Sequence, residues 1–116
     1  MMQPDLSRVN VYLRPGNTDM RKRINGLSIL ATEEMELDPL SGAVFLFCNR
    51  ERRILKALYW DANGFCEWQK KVERDRFPWP DSEEAAREIT TEELSLLLRG
   101  IDFFHAHKRR RWQSVS

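Results

Sequence analysis

Three segments with the pattern of β-strands, joined by short polar connections, dominate the middle of the chain. Residues 43–48 are continuously apolar, which is typical of a strand buried on both faces and favours a central position in a sheet. Residues 53–60 and 65–72 form two further runs, and residues 61–64 between them have the composition of a hairpin turn. Because both connections are short, the pattern predicts an antiparallel β-meander.

The amino-terminal part predicts a fourth strand and a first helix. Residues 9–13 alternate apolar and polar positions, as in a strand with one buried face, and we expect this strand at one edge of the sheet. Thr18 is placed to cap a helix that carries Asp19 in its first turn. The apolar stripe of that helix consists of Met20, Ile24, Leu27 and Ala31.

The carboxy-terminal part predicts a loop, a second helix and a tail. Two prolines within residues 77–80 indicate a structured loop, because proline cannot donate a ladder hydrogen bond. Thr90 and Glu93 match a capping box, followed by a stripe of leucines and an expected helix end near Gly100. The sequence therefore predicts an α+β fold: an antiparallel β-meander of three or four strands with two packed helices. We expect residues 1–104 to form a single domain and residues 105–116 to form a basic, loosely ordered tail.

Charge is balanced in total but unevenly distributed. The 19 lysines and arginines against 18 acids give a net charge of +1, so the sum identifies no partner. Basic residues cluster near the start, in the middle and at the end of the chain, which leaves room for a basic face that contacts phosphates. The alternative is an ordinary solvated surface. The candidate nucleic-acid contacts are Arg21, Lys22, Arg23, Arg52, Arg53, Lys56, Lys70 and Lys71.

Aromatic residues near these basic clusters have two interpretations. Trp60 and Trp68 are able to stack on exposed bases, but core packing is the more usual role and the one we expect. Trp79 lies between two prolines, and the sequence leaves open whether it packs in the core or forms an exposed anchor for a protein partner.

The familiar catalytic motifs are missing from the sequence, so catalysis is not indicated, and neither a cofactor nor a metal is expected. One alternative is a nickase with His105 and His107 as metal ligands and Tyr12 or Tyr59 as the nucleophile. These histidines adjoin four consecutive cations near the chain end rather than a rigid element, which argues against that site.

A second catalytic alternative is a two-metal carboxylate cluster of Asp19, Asp61 and Asp102. Each of these aspartates has a simpler local role, at a helix start, in a hairpin turn and after the last helix, respectively. The local roles are the preferred interpretation.

Location and thiol chemistry follow from two further patterns. No apolar stretch approaches the ~20 residues of a membrane span, and the amino terminus lacks a secretion signal, so we expect a cytoplasmic protein with no membrane partner.

Cys48 and Cys66 are predicted on strands separated by a third strand, roughly 9.5 Å apart, which is too far for a disulfide. Both are expected to be buried thiols.

Several short segments, taken in order, form a specific pattern that covers roughly residues 9–103. They are Val11-Tyr12-Leu13, Asp19-Met20-Arg21-Lys22, Gly26-Leu27, Asp38-Pro39, Ser41-Gly42, Phe45-Leu46-Phe47, Lys56-Ala57-Leu58-Tyr59-Trp60-Asp61, Gly64-Phe65, Lys70-Lys71-Val72-Glu73, Arg76-Phe77-Pro78-Trp79-Pro80 and Leu96-Leu97-Leu98-Arg99-Gly100-Ile101-Asp102. This ordered set resembles the second-reading-frame accessory protein, often called TnpB, of the sixty-six family of bacterial insertion sequences. Asp75 stands where many relatives have glycine.

The resemblance implies a small accessory protein in DNA transposition, encoded beside a larger transposase that carries out DNA cutting. We therefore expect a noncatalytic module that helps a transposase complex assemble on element DNA. The alternatives are an interaction module that binds the transposase without contacting DNA, and a small metal-dependent nickase. The oligomeric state and any DNA sequence preference stay open.

Overall fold

The computed structural model describes residues 9–81 and 87–101. In chain order the elements are β1 (Val11–Leu13), α1 (Ile24–Glu33), β2 (Val44–Cys48), β3 (Ile54–Asp61), β4 (Gly64–Lys71), β5 (Arg87–Ile89) and α2 (Thr91–Leu98).

The five strands form one sheet in the order β4-β3-β2-β1-β5. Strands β2, β3 and β4 are the predicted antiparallel meander, and β2 occupies the central position that its apolar run indicated. Strand β1 pairs parallel with β2, as expected for strands joined through a helix. The amino-terminal strand is thus added at one edge of the meander, as predicted. It is not the outermost strand, because β5, which the sequence pattern did not indicate, pairs antiparallel with its other side.

Helices cover both faces of the sheet, which explains why all five residues of β2 are buried. On one face Leu27, Leu30 and Ala31 of α1 pack against Phe45 and Phe47. On the other face Leu94 and Leu97 of α2 join alternate strand residues and the side chains of Phe77 and Trp79. The fold is therefore α+β with a helix on each side of a mostly antiparallel sheet.

Helix α1 begins at Ile24, six residues after the predicted cap Thr18. Thr18 is buried, and its hydroxyl accepts a hydrogen bond from Arg14 instead of capping a helix. The backbone carbonyls of Met20 and Lys22 accept hydrogen bonds from the Lys56 ammonium group, so they are not engaged in helical bonds. A long-range contact thus determines where this helix starts.

Helix α2 has both ends that the sequence predicted. Thr90 Oγ1 accepts from the Glu93 amide, and the Glu93 carboxylate accepts from the Thr90 amide, which completes the capping box. At the other end, the Gly100 amide donates to Leu97 and the Ile101 amide donates to Leu96, a Schellman motif. Gly100 has φ +77°, a conformation that glycine adopts at little steric cost.

The two cysteines lie on β2 and β4 with β3 between them, as predicted, and both are free thiols. Cys48 is fully buried, whereas Cys66 is only half-buried because β4 is an edge strand. Burial raises the pKa of Cys48 to about 11.

Candidate nucleic-acid interface

Three loops meet at the end of the sheet where β2 finishes and β3 starts. Hydrogen bonds join the loop after β1 to β2 and to the segment 77–81, through the Thr18 amide to Cys48 and the Gly16 amide to Pro80. The loop after β4 is tied to β3 by the bond from the Val72 amide to Arg53. Segments distant in sequence therefore form one continuous surface.

Arg52 holds this surface together. Its Nη1 donates to the carbonyls of Gly16 and Asn49, and its Nη2 donates to Asp81 Oδ1 at 2.6 Å. The Arg52 carbonyl accepts from the Phe77 amide at 2.7 Å. The guanidinium group thus links three loops, and its side chain is largely buried. Its role is to position the loops rather than to present a free charge.

Lys56 has a similar structural role on the face that α1 covers. The residue is only 6% exposed, and its ammonium group donates to the carbonyls of Met20 and Lys22 at 2.9 and 3.0 Å. Glu67 Oε1 lies 2.9 Å from the same nitrogen. Lys56 therefore fixes the turn that precedes α1 and is itself shielded from any large ligand.

The turn held by Lys56 presents three consecutive exposed cations, Arg21, Lys22 and Arg23. Arg21 is paired with Asp19, whose Oδ2 lies 2.7 Å from Arg21 Nη2. Hydrogen bonds from the Arg21 side chain and amide lower the pKa of Asp19 to about 2, so this carboxylate stays charged. Asp19 thus offsets part of the positive charge of the turn.

The remaining predicted contacts differ in how freely they are exposed. Lys70 faces α2, and its ammonium group donates to the Leu98 carbonyl at 2.7 Å near the helix end. Lys71 is exposed on the opposite face of the same strand. Arg53 is half-buried, and its Nη1 lies 3.5 Å from the Glu73 carbonyl.

We call the surface formed by residues 14–23, 49–53 and 70–81 the basic end. These segments contain eleven lysines and arginines against five acids. The opposite end of the sheet, where β1 and β2 begin and β3 turns into β4, is acidic: the described segments 9–10, 36–43, 61–64 and 90–93 contain no lysine or arginine. Charge is therefore strongly polarised along the sheet in the part of the chain that the structure describes.

The sequence-predicted contacts fall into two groups. Arg21, Lys22, Arg23 and Lys71 are exposed at the basic end. Arg52, Arg53, Lys56 and Lys70 are at least half-buried, and their side chains donate hydrogen bonds to backbone carbonyls. Sequence reasoning missed three exposed cations that share this end, Arg50, Arg74 and Arg76. Their signal was available, because all three adjoin the predicted strand ends.

Of the three tryptophans that the structure describes, Trp79 lies in the packed interior, and Trp60 and Trp68 are half-buried. Trp79 is only 8% exposed, and its Nε1 donates to the Arg14 carbonyl at 2.9 Å. The sequence left open whether Trp79 is a core residue or an exposed anchor, and in the structure it is a core residue. Trp68 packs against the same cluster while half-buried, and Trp60 contacts Phe65 edge to face.

The catalytic alternatives gain no support from the described residues. Within residues 9–81 and 87–101, no group of three His, Cys, Asp or Glu side chains is positioned to hold a metal ion. Asp19 pairs with Arg21, and Asp61 lies at the distant hairpin. Tyr59 is buried, and burial together with the neighbouring Cys66 raises the pKa of its hydroxyl, which disfavours the phenolate form. His105, His107 and Asp102 lie outside the described residues.

Neither helix of the described chain has the length and hydropathy needed to cross a bilayer.

The fold and its basic end define a small, charge-polarised α+β protein. The family described as IS66 Orf2 like protein matches residues 9–108, so the chain belongs to that family, the accessory proteins of IS66 insertion sequences. The chain is also similar to two Sinorhizobium fredii proteins. It is 38% identical to uncharacterized protein y4hO over 90% of each chain. It is 30% identical to uncharacterized protein y4jC, over 88% of this chain and 86% of that one. No solved structure matches the sequence.

Family membership confirms the resemblance seen in the sequence and supports an accessory role associated with transposition.

Proposed function

We propose that this protein is a noncatalytic accessory factor that helps the transposase of its own element assemble on element DNA, and that the basic end contacts the DNA. The observation that carries the proposal is the separation of charge between the two ends of the sheet. A surface with a large excess of cations attracts the phosphate backbone, and release of condensed counterions makes such binding dependent on salt.

The arrangement of the basic end supports binding of an extended anion. Arg21, Lys22 and Arg23 project from a turn that is fixed by Lys56, so the charged groups are presented by ordered backbone. Arg52 likewise fixes the loops that carry Arg50, Arg74 and Arg76. Holding the loops in place lowers the entropy cost of binding. Contacts of this kind position a protein on DNA without reading its sequence.

The central experiment is fluorescence anisotropy of the full chain with element-end duplex and a scrambled duplex across a salt series, with and without transposase. Binding by the protein alone supports direct DNA contact, and a preference for the element end adds recognition. If the protein changes the anisotropy of the duplex only when transposase is present, the result supports the alternative, an interaction module that never touches DNA.

A pair of matched variants tests whether the basic end is the contact surface. Lys22→Gln with Arg23→Gln removes two exposed cations from the basic end. Asn10→Asp with Asn63→Asp changes the net charge equally, but at the acidic end. We expect the first variant to flatten the slope of log K against log salt by about 0.9 for each phosphate that the protein no longer neutralises. The second variant should leave that slope unchanged, and equal effects of both would refute the assignment.

A further inference from the structure

Within residues 9–81 and 87–101, strand β4 forms one open edge of the sheet. It pairs with β3 along all eight residues, and no other described strand lies on its other side. The Val72 amide bonds to Arg53, and antiparallel pairs alternate between bonded and non-bonded, so the residues that point their peptide groups away from β3 are 65, 67, 69 and 71. These four residues form a template for another strand.

The open edge of β4 is protected by the charged side chains of Glu67, Lys70 and Lys71, but not by a proline or a bulge. Residues 64–71 contain no proline, and their pairing with β3 is continuous, with no bulge. Strand β5 at the other side of the sheet, by contrast, has only three residues. The β4 edge is therefore long and regular enough to accept a partner strand.

The side chains of β4 complement those of the same strand in an antiparallel copy. If two copies meet with Gln69 opposite Gln69, Glu67 of each lies opposite Lys71 of the other. On the second face of the sheet, Trp68 then lies opposite Lys70, whose ammonium group stays bonded to the Leu98 carbonyl, so the indole packs against the aliphatic part of that side chain. Moving the symmetry axis to Glu67 or Lys70 would place like charges in opposition, and moving it to Trp68 would leave Glu67 opposite Gln69 without an ion pair. Charge therefore favours the register centred on Gln69.

We propose that the open edge of β4 pairs antiparallel with the same edge of a second copy of this chain, about a twofold axis at Gln69. The two sheets then form one continuous sheet. A contact made by one strand pair is smaller than a standard interface of roughly 1,600 Å², so the dimer is weak and depends on concentration. This proposal does not depend on DNA binding.

Sedimentation equilibrium of the full chain, without DNA, from low-micromolar to near-millimolar concentration tests the association. Lys71→Glu converts both Glu67–Lys71 ion pairs of the dimer into pairs of acids that repel each other. We expect it to weaken the dimer about tenfold. The control Arg74→Glu changes the charge equally at an exposed residue outside the strand, and it should leave the association unchanged. A chain that stays monomeric at every concentration would overturn the proposal.

Disulfide trapping tests the register in a Cys66→Ser background. Gln69→Cys puts two thiols opposite each other across the axis, within reach of a bridge, whereas Lys71→Cys faces Glu67 of the other copy. We expect crosslinked dimer for Gln69→Cys and little for Lys71→Cys. Equal crosslinking of both would exclude this register. The proposal would also be overturned if transposase protected the β4 amides from hydrogen exchange while this chain stayed monomeric. The partner of the open edge would then be the transposase and not a second copy.

Discussion

The ammonium nitrogen of Lys56 lies 2.9 Å from Glu67 Oε1 in a position where both side chains are mostly shielded from water. The same nitrogen donates to the carbonyls of Met20 and Lys22, so its three protons meet three acceptors. This arrangement joins β3, β4 and the turn before α1. Lys56 lies in a basic stretch of sequence and was therefore predicted to contact DNA, but its ammonium group stabilises the fold instead.

Replacing Lys56 with Met should therefore destabilise the protein strongly. The variant leaves the Glu67 carboxylate and two backbone carbonyls without their donor, and we expect a loss of about 2–4 kcal/mol in the free energy of unfolding. Urea denaturation followed by circular dichroism measures this loss.

Lys71→Met is the matched control, because Lys71 is exposed on the same face of the β3–β4 pair. We expect a change within about 0.5 kcal/mol for this variant. Adding Glu67→Gln to Lys56→Met removes the orphaned charge and should recover part of the stability. Equal losses for Lys56→Met and Lys71→Met would contradict the structural role of Lys56.

The hairpin between β3 and β4 contains a strained residue. Ala62 has φ +53°, a conformation that costs an L-residue about 1–2 kcal/mol and costs glycine far less. Because Ala62 is exposed, Ala62→Gly removes no packing, and we expect a gain of about 0.5–1 kcal/mol in unfolding free energy. Asn63→Gly, at a neighbouring residue without positive φ, should give no gain. Denaturant titrations of both variants decide the point.

The buried thiol of Cys48 predicts a loss of stability in alkaline solution. Burial raises the pKa of Cys48 from 9.0 to about 11, so between these values the folded state holds a proton that the unfolded chain releases. Stability is therefore unaffected below pH 9 and falls as the pH rises towards 11. Urea titrations across this range should show a smaller decline for Cys48→Ala than for the unmodified chain. An equal decline would mean that other groups, such as Tyr59, carry the effect.

Much of the fold follows from local sequence patterns. The continuous apolar run of β2, the hairpin and the capping box at Thr90 each depend on neighbouring residues, and each is found where it was predicted. The start of α1 depends instead on Lys56, which lies more than thirty residues away in the chain. Strand β5 is held by pairing with β1, and three residues carry too little periodicity to reveal it.

The candidate site was less accessible to sequence reasoning, for a related physical reason. Charge alone does not distinguish Lys22, which is exposed, from Lys56, which is buried beneath the backbone of the same turn. Likewise, Arg50 and Arg52 are two residues apart, yet the first is exposed and the second is tied to Gly16, Asn49 and Asp81. Which cations are exposed is determined by tertiary contacts that the sequence pattern does not display.

Asp19 provides a test of the basic end in which the expected effect is a gain. Its carboxylate pairs with Arg21 at 2.7 Å and so competes with phosphate for that guanidinium group. Asp19→Asn keeps an oxygen that accepts from the Arg21 amide but removes the negative charge. We expect tighter DNA binding, by roughly two- to tenfold at low salt, and a steeper salt dependence. Asp61→Asn changes the net charge equally at the acidic end, and the anisotropy titration should show no gain for it. If both variants bind more tightly to the same extent, binding responds to total charge, and the basic end is not a localised contact surface.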